Sequence, residues 1–231
     1  MRVRPWVLAV IATVAVGAVV VVPLFVGRTA TSDRPTSRTP GPGVVSTVAP
    51  PRLPPTRVER IVPVDGQGGL AAGYRVTSRA RGKCFSASLL AQGLFRCFRG
   101  NTILDPCWKQ TGRHVVLCLP EPWSHRLARV DVVGKLPPPA DFADRWWALA
   151  VGDGLGVRCV AATGAAGVVH GKPVTYVCEH RWVLLGDGPD RSTSAWTMAV
   201  ARRVGTHYRV HGTVHLTTAW KAVGAPVVRS S

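Results

Sequence analysis

Three histidines, His207, His211 and His215, stand four residues apart in the segment HYRVHGTVH near the C-terminus. On successive turns of a helix this spacing would gather imidazoles around a zinc ion, whose ligand nitrogens lie about 2 Å away. Gly212 and the β-branched neighbours oppose a helix here. Tyr208, Val210, Val214, Leu216 and Trp220 hold the even positions, while His207, Arg209, His211, Thr213, His215 and Thr217 hold the odd ones. That is the period of a half-buried strand. Strand residues four apart share a face but are separated by about 13 Å, too far to hold one metal ion together. His207, Arg209, His211 and His215 are therefore expected to form a solvated basic face that binds anions and gains charge as the pH falls towards about 6. Neither a metal nor a cofactor is expected.

Other chemistry is sparse. The chain has no G-x-S-x-G elbow, no H-E-x-x-H and no P-loop. GDGLG at 152–156 reads as a hairpin turn, because a strand-like run and not a helix follows it. The carboxylates from Asp105 to Asp190 mostly neighbour Pro or Gly, where turn and capping roles prevail. A glycan-cleaving hydrolase whose two acids meet only in space is the alternative to a binding protein. Trp108, Trp123, Trp182 and the outward member of the adjacent pair Trp146 and Trp147 are candidates for a stacking surface.

The elements that position these residues begin with the N-terminus. Arg2 and Arg4 precede an uncharged apolar run over 5–27, which as a helix would span about 33 Å, enough to cross a bilayer. The only small-residue cleavage pattern is interrupted by Arg28, so an uncleaved signal anchor is expected. Residues 1–4 would stay in the cytoplasm and the rest would pass outside, because long domains translocate largely regardless of charge. The expected location is the cell membrane, single-pass, with the C-terminal domain extracytoplasmic.

An oxidising compartment makes disulfides the expected state of Cys84, Cys97, Cys107, Cys118, Cys159 and Cys178, which are even in number and contain no C-x-x-C pair. Six cysteines allow fifteen pairings and spacing does not choose among them. The expectation adopted is the local set: Cys84 with Cys97, Cys107 with Cys118, Cys159 with Cys178.

Residues 28–63 are rich in Pro, Thr, Ser and Arg with no apolar period, and are expected to be a disordered, extended linker. The folded domain is expected over 64–223, followed by a flexible tail at 224–231. Within it, GKCFSASLLAQGLFRCFRGNTILDPCW is broken by turn residues and cysteine-dense, with a short helix expected in SLLAQGLFRCF. HVVLCL reads as a strand. After residue 145, RWWALAV, LGVRCVA, PVTYVC, RWVLLG and AWTMAVARR are five- to nine-residue strand signals separated by turn chemistry. The predicted fold class is mainly β, a β-rich α+β arrangement: an antiparallel sheet with a small disulfide-stapled N-terminal part, preceded by one transmembrane helix and the linker.

The runs GLFRCFRGNTILDPCW, GVRCVAATG, VTYVC and PDRSTSAWTM resemble an uncharacterised family of exported proteins from high-GC Gram-positive bacteria. The shared pattern is an aromatic-x-Cys followed by Gly-Asn-x-Ile-x-Asp-Pro-Cys-aromatic, here Phe95 to Cys97 and Gly100 to Trp108, with Leu104 where an aromatic is expected. The resemblance implies export and disulfide bonding, and transfers no activity.

The formal charge of +17, from 29 Lys+Arg against 12 Asp+Glu, would attract phosphates and carboxylates, although an Arg-rich composition also follows from a GC-rich genome. The functional expectation is a membrane-anchored binding protein of the cell envelope. Its expected partners are an anionic wall polymer, lipid head groups or another exported protein, and not nucleic acid.

Overall fold

A computed structural model of the chain describes residues 52–138 and 145–224. The expected cytoplasmic residues 1–4, the transmembrane segment 5–27, the linker up to 51 and the tail from 225 lie outside the described residues. Among the described residues no helix is long and apolar enough to cross a membrane. Apart from one three-residue 3-10 turn, Glu179–Arg181, their regular structure is all strand. The β-rich, antiparallel expectation is met there, without an α component.

The fold starts earlier than the linker boundary at 63. Strand β1 (Arg57–Ile61) pairs in parallel with the end of the chain's last strand, Arg57 opposite Thr218 and Ile61 opposite Ala222. Thr56 fastens its start. The Thr56 hydroxyl donates to the Leu216 carbonyl (2.6 Å) and accepts from the Trp196 N–H (2.9 Å). The Pro-rich composition ends just before this strand, and RVERI supplies the β-branched residues.

The first sheet comprises β2 (Arg75–Gly82), β3 (Cys84–Ala87), β4 (Phe95–Arg99), β5 (Thr102–Lys109), β6 (Val115–Cys118) and β7 (Arg126–Val132), in the spatial order β2-β7-β6-β5-β4-β3. β3 to β7 form an antiparallel meander, and β2 closes onto β7 in parallel. Only Lys83 separates β2 from β3, so one bent strand borders both ends of the sheet. At the bend the Val133 N–H donates to the Gly82 carbonyl and the Phe98 N–H to the Lys83 carbonyl. A Cβ on Gly82 would collide with the Phe98 carbonyl oxygen, which is why glycine stands at this close approach.

The helix expected in SLLAQGLFRCF does not form. The Ser88 N–H instead donates to the Leu94 carbonyl (2.8 Å) with Gly93 at φ 75°, closing the segment as a loop between β3 and β4, inside which the Leu89 N–H donates to the Asp105 carboxylate (3.1 Å) and the Leu90 N–H to the Ser88 hydroxyl (3.0 Å). Phe95 to Arg99 then run as β4, opposite both β3 and β5.

The second sheet comprises β8 (Ala148–Val151), β9 (Arg158–Ala161), β10 (Val168–Val169), β11 (Lys172–Cys178), β12 (Trp182–Asp190), β13 (Thr197–Val204) and β14 (His207–Ala222). Neighbours run β14-β13-β12-β11-β9-β8, and β8 pairs back to β14, closing an antiparallel ring of six strands. Ring closure removes the exposed edges that invite aggregation. The β8–β9 hairpin, β11, β12, β13 and β14 match the strand signals read from the sequence.

The main core joins both sheets: Trp108, Leu117, Leu119 and Leu127 from the first pack with Trp147, Leu149, Tyr176, Leu184 and Leu216 from the second. The indole N–H of Trp108 donates to the Val223 carbonyl (2.7 Å), and the Tyr176 hydroxyl to the Trp146 carbonyl (3.0 Å), so both large residues are buried with their polar atoms satisfied. On β12, Leu184 belongs to this core, whereas Val183 and Leu185 face a smaller one with Val169, Val174 and Ala201.

The disulfides are Cys84–Cys97, Cys107–Cys118 and Cys159–Cys178, the local set. Each joins residues directly opposite on neighbouring antiparallel strands, β3 with β4, β5 with β6 and β9 with β11. The first two lie in a small core with Phe95, Val116 and Val130.

Candidate functional site

Two turns at one end of the second sheet bring His180, Arg181, Arg202 and Arg203 together. β13 and β14 are joined by Gly205 and Thr206, with Val204 paired to His207; Gly205 has φ 60°, as the two-residue hairpins compatible with strand twist require. The β11–β12 turn passes through Glu179, His180 and Arg181. His180 (φ 56°) and Arg181 (φ 65°) are both left-handed, a conformation that costs a side-chain-bearing residue roughly 1–2 kcal/mol. Glycine would relieve that strain; a histidine and an arginine stand there.

Across the strands, Trp182 pairs with Arg202 and Arg202 with Arg209, placing the three in one row. The Arg202 guanidinium lies 5.5 Å from the Trp182 ring centroid, and the His211 ring meets Trp182 edge-on at 4.8 Å. Arg203 and Arg181 border the other face, where a shallow depression of about 430 Å³ is lined also by Ala166, Val174, Val183 and Tyr208. A second depression, about 470 Å³, runs between His180, Arg181, Arg202, Arg203 and Val204. Val204 is 60% exposed at the tip.

Arg181, Arg202, Arg203, Arg209, His180, His207 and His211 thus gather at one end. None of these four arginines forms an ion pair among the described residues. The adjoining Glu179 is engaged elsewhere: its carboxylate accepts from the Arg158 guanidinium (2.8 Å) and backbone N–H (3.0 Å), and the guanidinium hydrogen bond holds its pKa below the usual carboxylate range. Arg158 also lies over Trp123, 4.8 Å from the ring centroid. The end keeps an uncompensated positive field beside an aromatic ring, which suits phosphate or carboxylate groups.

Of the four residues read as one basic face, His207, Arg209 and His211 are exposed and belong to this end. His215 does not. It is 3% exposed; its N–H donates to the Asp153 carboxylate, and its Nε2 has no hydrogen-bond partner among the described residues. The cause is a bulge at Gly212 (φ 97°): Val200 pairs with Gly212 but Ala201 with Val210, so the strand gains a residue and the period of two is broken. Beyond the bulge β14 lies between β8 and the strands on its other edge, and Val214, His215 and Leu216 are buried in succession. Val210, expected inside, is 44% exposed.

No metal centre follows from these histidines. Among the described residues, the group with metal-ligand spacing is Cys97, Cys107 and Cys118, all of them in disulfides. The aromatic expectation is also narrowed. Trp108 and Trp147 are core residues, Trp146 packs on Trp196 (4.8 Å), and Trp123 packs on Trp220 (5.3 Å) with Arg158 over its ring, so of these five Trp182 is the one that stands at the hairpin end.

His180, Arg181, Arg202 and Arg203 were not singled out by the sequence reading. Their signals are a turn, CEHRW, that lacks glycine where the hairpin needs positive φ, and ARRVGTHYRV, a two-residue hairpin flanked on both sides by arginines. Comparison of the chain with family models, with curated proteins and with solved structures finds no match.

Proposed function

We propose that the protein is a membrane-anchored, extracytoplasmic binding protein of the bacterial cell envelope that engages anionic groups through the hairpin end around Trp182. The carrying observation is the Arg202–Arg209 pair. Like charges directly opposite across two strands are destabilising, and no carboxylate among the described residues offsets them. Such an arrangement is retained where an external anion completes it. The strained His180 and Arg181 beside the pair support the same reading. The apolar N-terminal run, the three disulfides and the resemblance to exported proteins support the envelope location.

The hydrolase alternative finds no support in Asp105. Burial lifts its carboxyl to about 6, but both oxygens are committed, to the Ser88 hydroxyl and the Leu89 N–H, inside the fold.

The test is retention of the full-length protein, held in neutral detergent that occupies its apolar N-terminal run, by envelope fractions and by resins carrying phosphate groups or a neutral polyol, at low and high salt. Anion-dependent retention that falls in salt and is lost in Arg202→Gln/Arg209→Gln is expected. Equal retention by the neutral resin, or an unaffected variant, overturns the proposal.

A further inference from the structure

A second cationic surface lies on the first sheet, built on a different regularity. Exposure alternates from Arg75 to Phe85 along the bent strand β2–β3, so that Arg75, Thr77, Arg79, Arg81, Lys83 and Phe85 all point outward. The outward row contains no acid. Across β7, Arg75 faces Arg126, Arg79 faces Arg129 and Arg81 faces Asp131. Asp131 is already held by the Arg129 guanidinium at 2.9 Å. Arg75, Arg79, Arg81 and Lys83 have no ion-pair partner among the described residues. At the far end the rings of Phe85 (43% exposed) and Phe98 (38% exposed) stack at 4.3 Å, with the Arg96 guanidinium 5.3 Å from the Phe85 centroid.

We propose that this row is a track for an extended phosphodiester polymer of the polyol-phosphate type, which lies along β2–β3 with successive phosphates on Arg79, Arg81 and Lys83. The repeat carries the identification. Outward residues on a strand recur about every 7 Å, the length of two residues, which is six backbone bonds. A phosphodiester chain linked through three carbons also has six bonds from one phosphorus to the next, so its extended repeat is about 7 Å as well. A carboxylate polymer of sugar rings repeats by whole rings and does not share this tether. Guanidinium forks fit two phosphate oxygens at once. Thr77, whose hydroxyl donates to the Leu127 carbonyl (3.5 Å), stands uncharged between Arg75 and Arg79, and the Phe85–Phe98 pair offers an apolar surface to the polyol carbons.

Single-stranded nucleic acid has the same six-bond repeat, but its binders supply aromatic platforms beneath successive bases. Here the one aromatic residue of the row, Phe85, stands at its end and is stacked on Phe98, so no platform lies beneath successive bases along Arg79, Arg81 and Lys83. The track reads a backbone and leaves no seat for bases. It depends on the envelope reading only for where such a polymer would be met; its residues are distinct from the hairpin end.

The experiment measures binding of the full-length protein in detergent to poly(glycerol phosphate), polygalacturonate and oligothymidylate, at about 50 mM and about 200 mM salt. Poly(glycerol phosphate) is expected to bind tightest. Arg79→Gln/Arg81→Gln should weaken it on the order of tenfold and lower the slope of log affinity against log salt by about 1.4, two phosphate contacts at ~0.7 each. Lys172→Gln/Arg191→Gln, which removes the same charge outside both cationic surfaces, should leave this binding unchanged. A native circular-dichroism spectrum and thermal midpoint for the track variant show that the loss is not unfolding, and Arg75→Gln/Arg126→Gln gives an independent second reading. Equal affinity for polygalacturonate, tighter binding of oligothymidylate, or a track variant that binds like wild type each overturns the track. Loss of the polymer in the hairpin variant alone overturns it while leaving the hairpin proposal standing.

Discussion

Arg202 and Arg209 are direct partners across the β13–β14 hairpin, with Trp182 next in the same row. Replacing one of two opposed like charges by a β-branched neutral residue relieves repulsion in the free protein. Arg209→Thr is therefore expected to raise stability by about 0.5 kcal/mol in denaturant titration. The same variant should be retained less by anionic envelope material. A gain in stability without loss of retention would show that the pair is an accident of composition.

Asp105 gives the fold a pH dependence opposite to that of most carboxylates. Burial raises its pKa from 3.8 to about 6, against the hydrogen bonds from Ser88 and Leu89, which act the other way. Between about pH 4 and pH 6 the folded chain keeps a proton that the unfolded chain has released, so stability falls as pH rises through that window. Two pKa units correspond to about 3 kcal/mol, fully lost above about pH 6. Asp105→Asn should flatten this part of the profile when unfolding is followed by urea titration at about pH 4.5 and about pH 7.5. Glu179, whose pKa is lowered by Arg158, acts in the opposite sense, its contribution vanishing as pH falls; subtracting the Asp105→Asn profile from that of the wild type isolates Asp105 from it.

Cys159 and Cys178, 19 residues apart, bridge β9 and β11 inside the ring. Replacing both by Ala should cost about 3 kcal/mol, read as a lower urea midpoint. Replacing Cys107 and Cys118 should cost more than their shorter loop implies, because both side chains are wholly buried against Val116 and Val130 and their removal also leaves a cavity.

Thr56→Val removes the hydroxyl that joins the Leu216 carbonyl to the Trp196 N–H. A loss of about 1–2 kcal/mol is expected, since two partly buried groups are left unpaired. Hydrogen exchange should quicken first in β1, with β11 and β12 protected as before. Uniform acceleration across the sheet would mean that β1 is integral to the ring and not an added strand.

Much of the second sheet was legible because its strands are consecutive, antiparallel and separated by turn residues, so that every signal is local. The cysteines were legible as disulfides but not in their pairing; the local set adopted among fifteen is the one formed, each pair lying on neighbouring strands. What escaped was non-local. RVERI reads as linker until β14, about 160 positions later, supplies its hydrogen bonds. Leu89 and Leu90 resemble a helix start until the Ser88 N–H reaches the Leu94 carbonyl around Gly93 and closes the segment as a loop. His215 looked exposed because a strict alternation was carried through Gly212, where one extra residue changes the phase. For the candidate site, the histidines drew attention to the correct hairpin, while the arginines completing it came from two other strands and a turn.

The covalent links between facing residues have a consequence for the chain when it is not folded. A strand that slides by one position turns its inside out, and an oxidised β3–β4, β5–β6 or β9–β11 pair has no such freedom. Heated or denatured with its sulfurs joined, the polypeptide retains three alignments, and the misaligned sheets open to a reduced chain are closed to it.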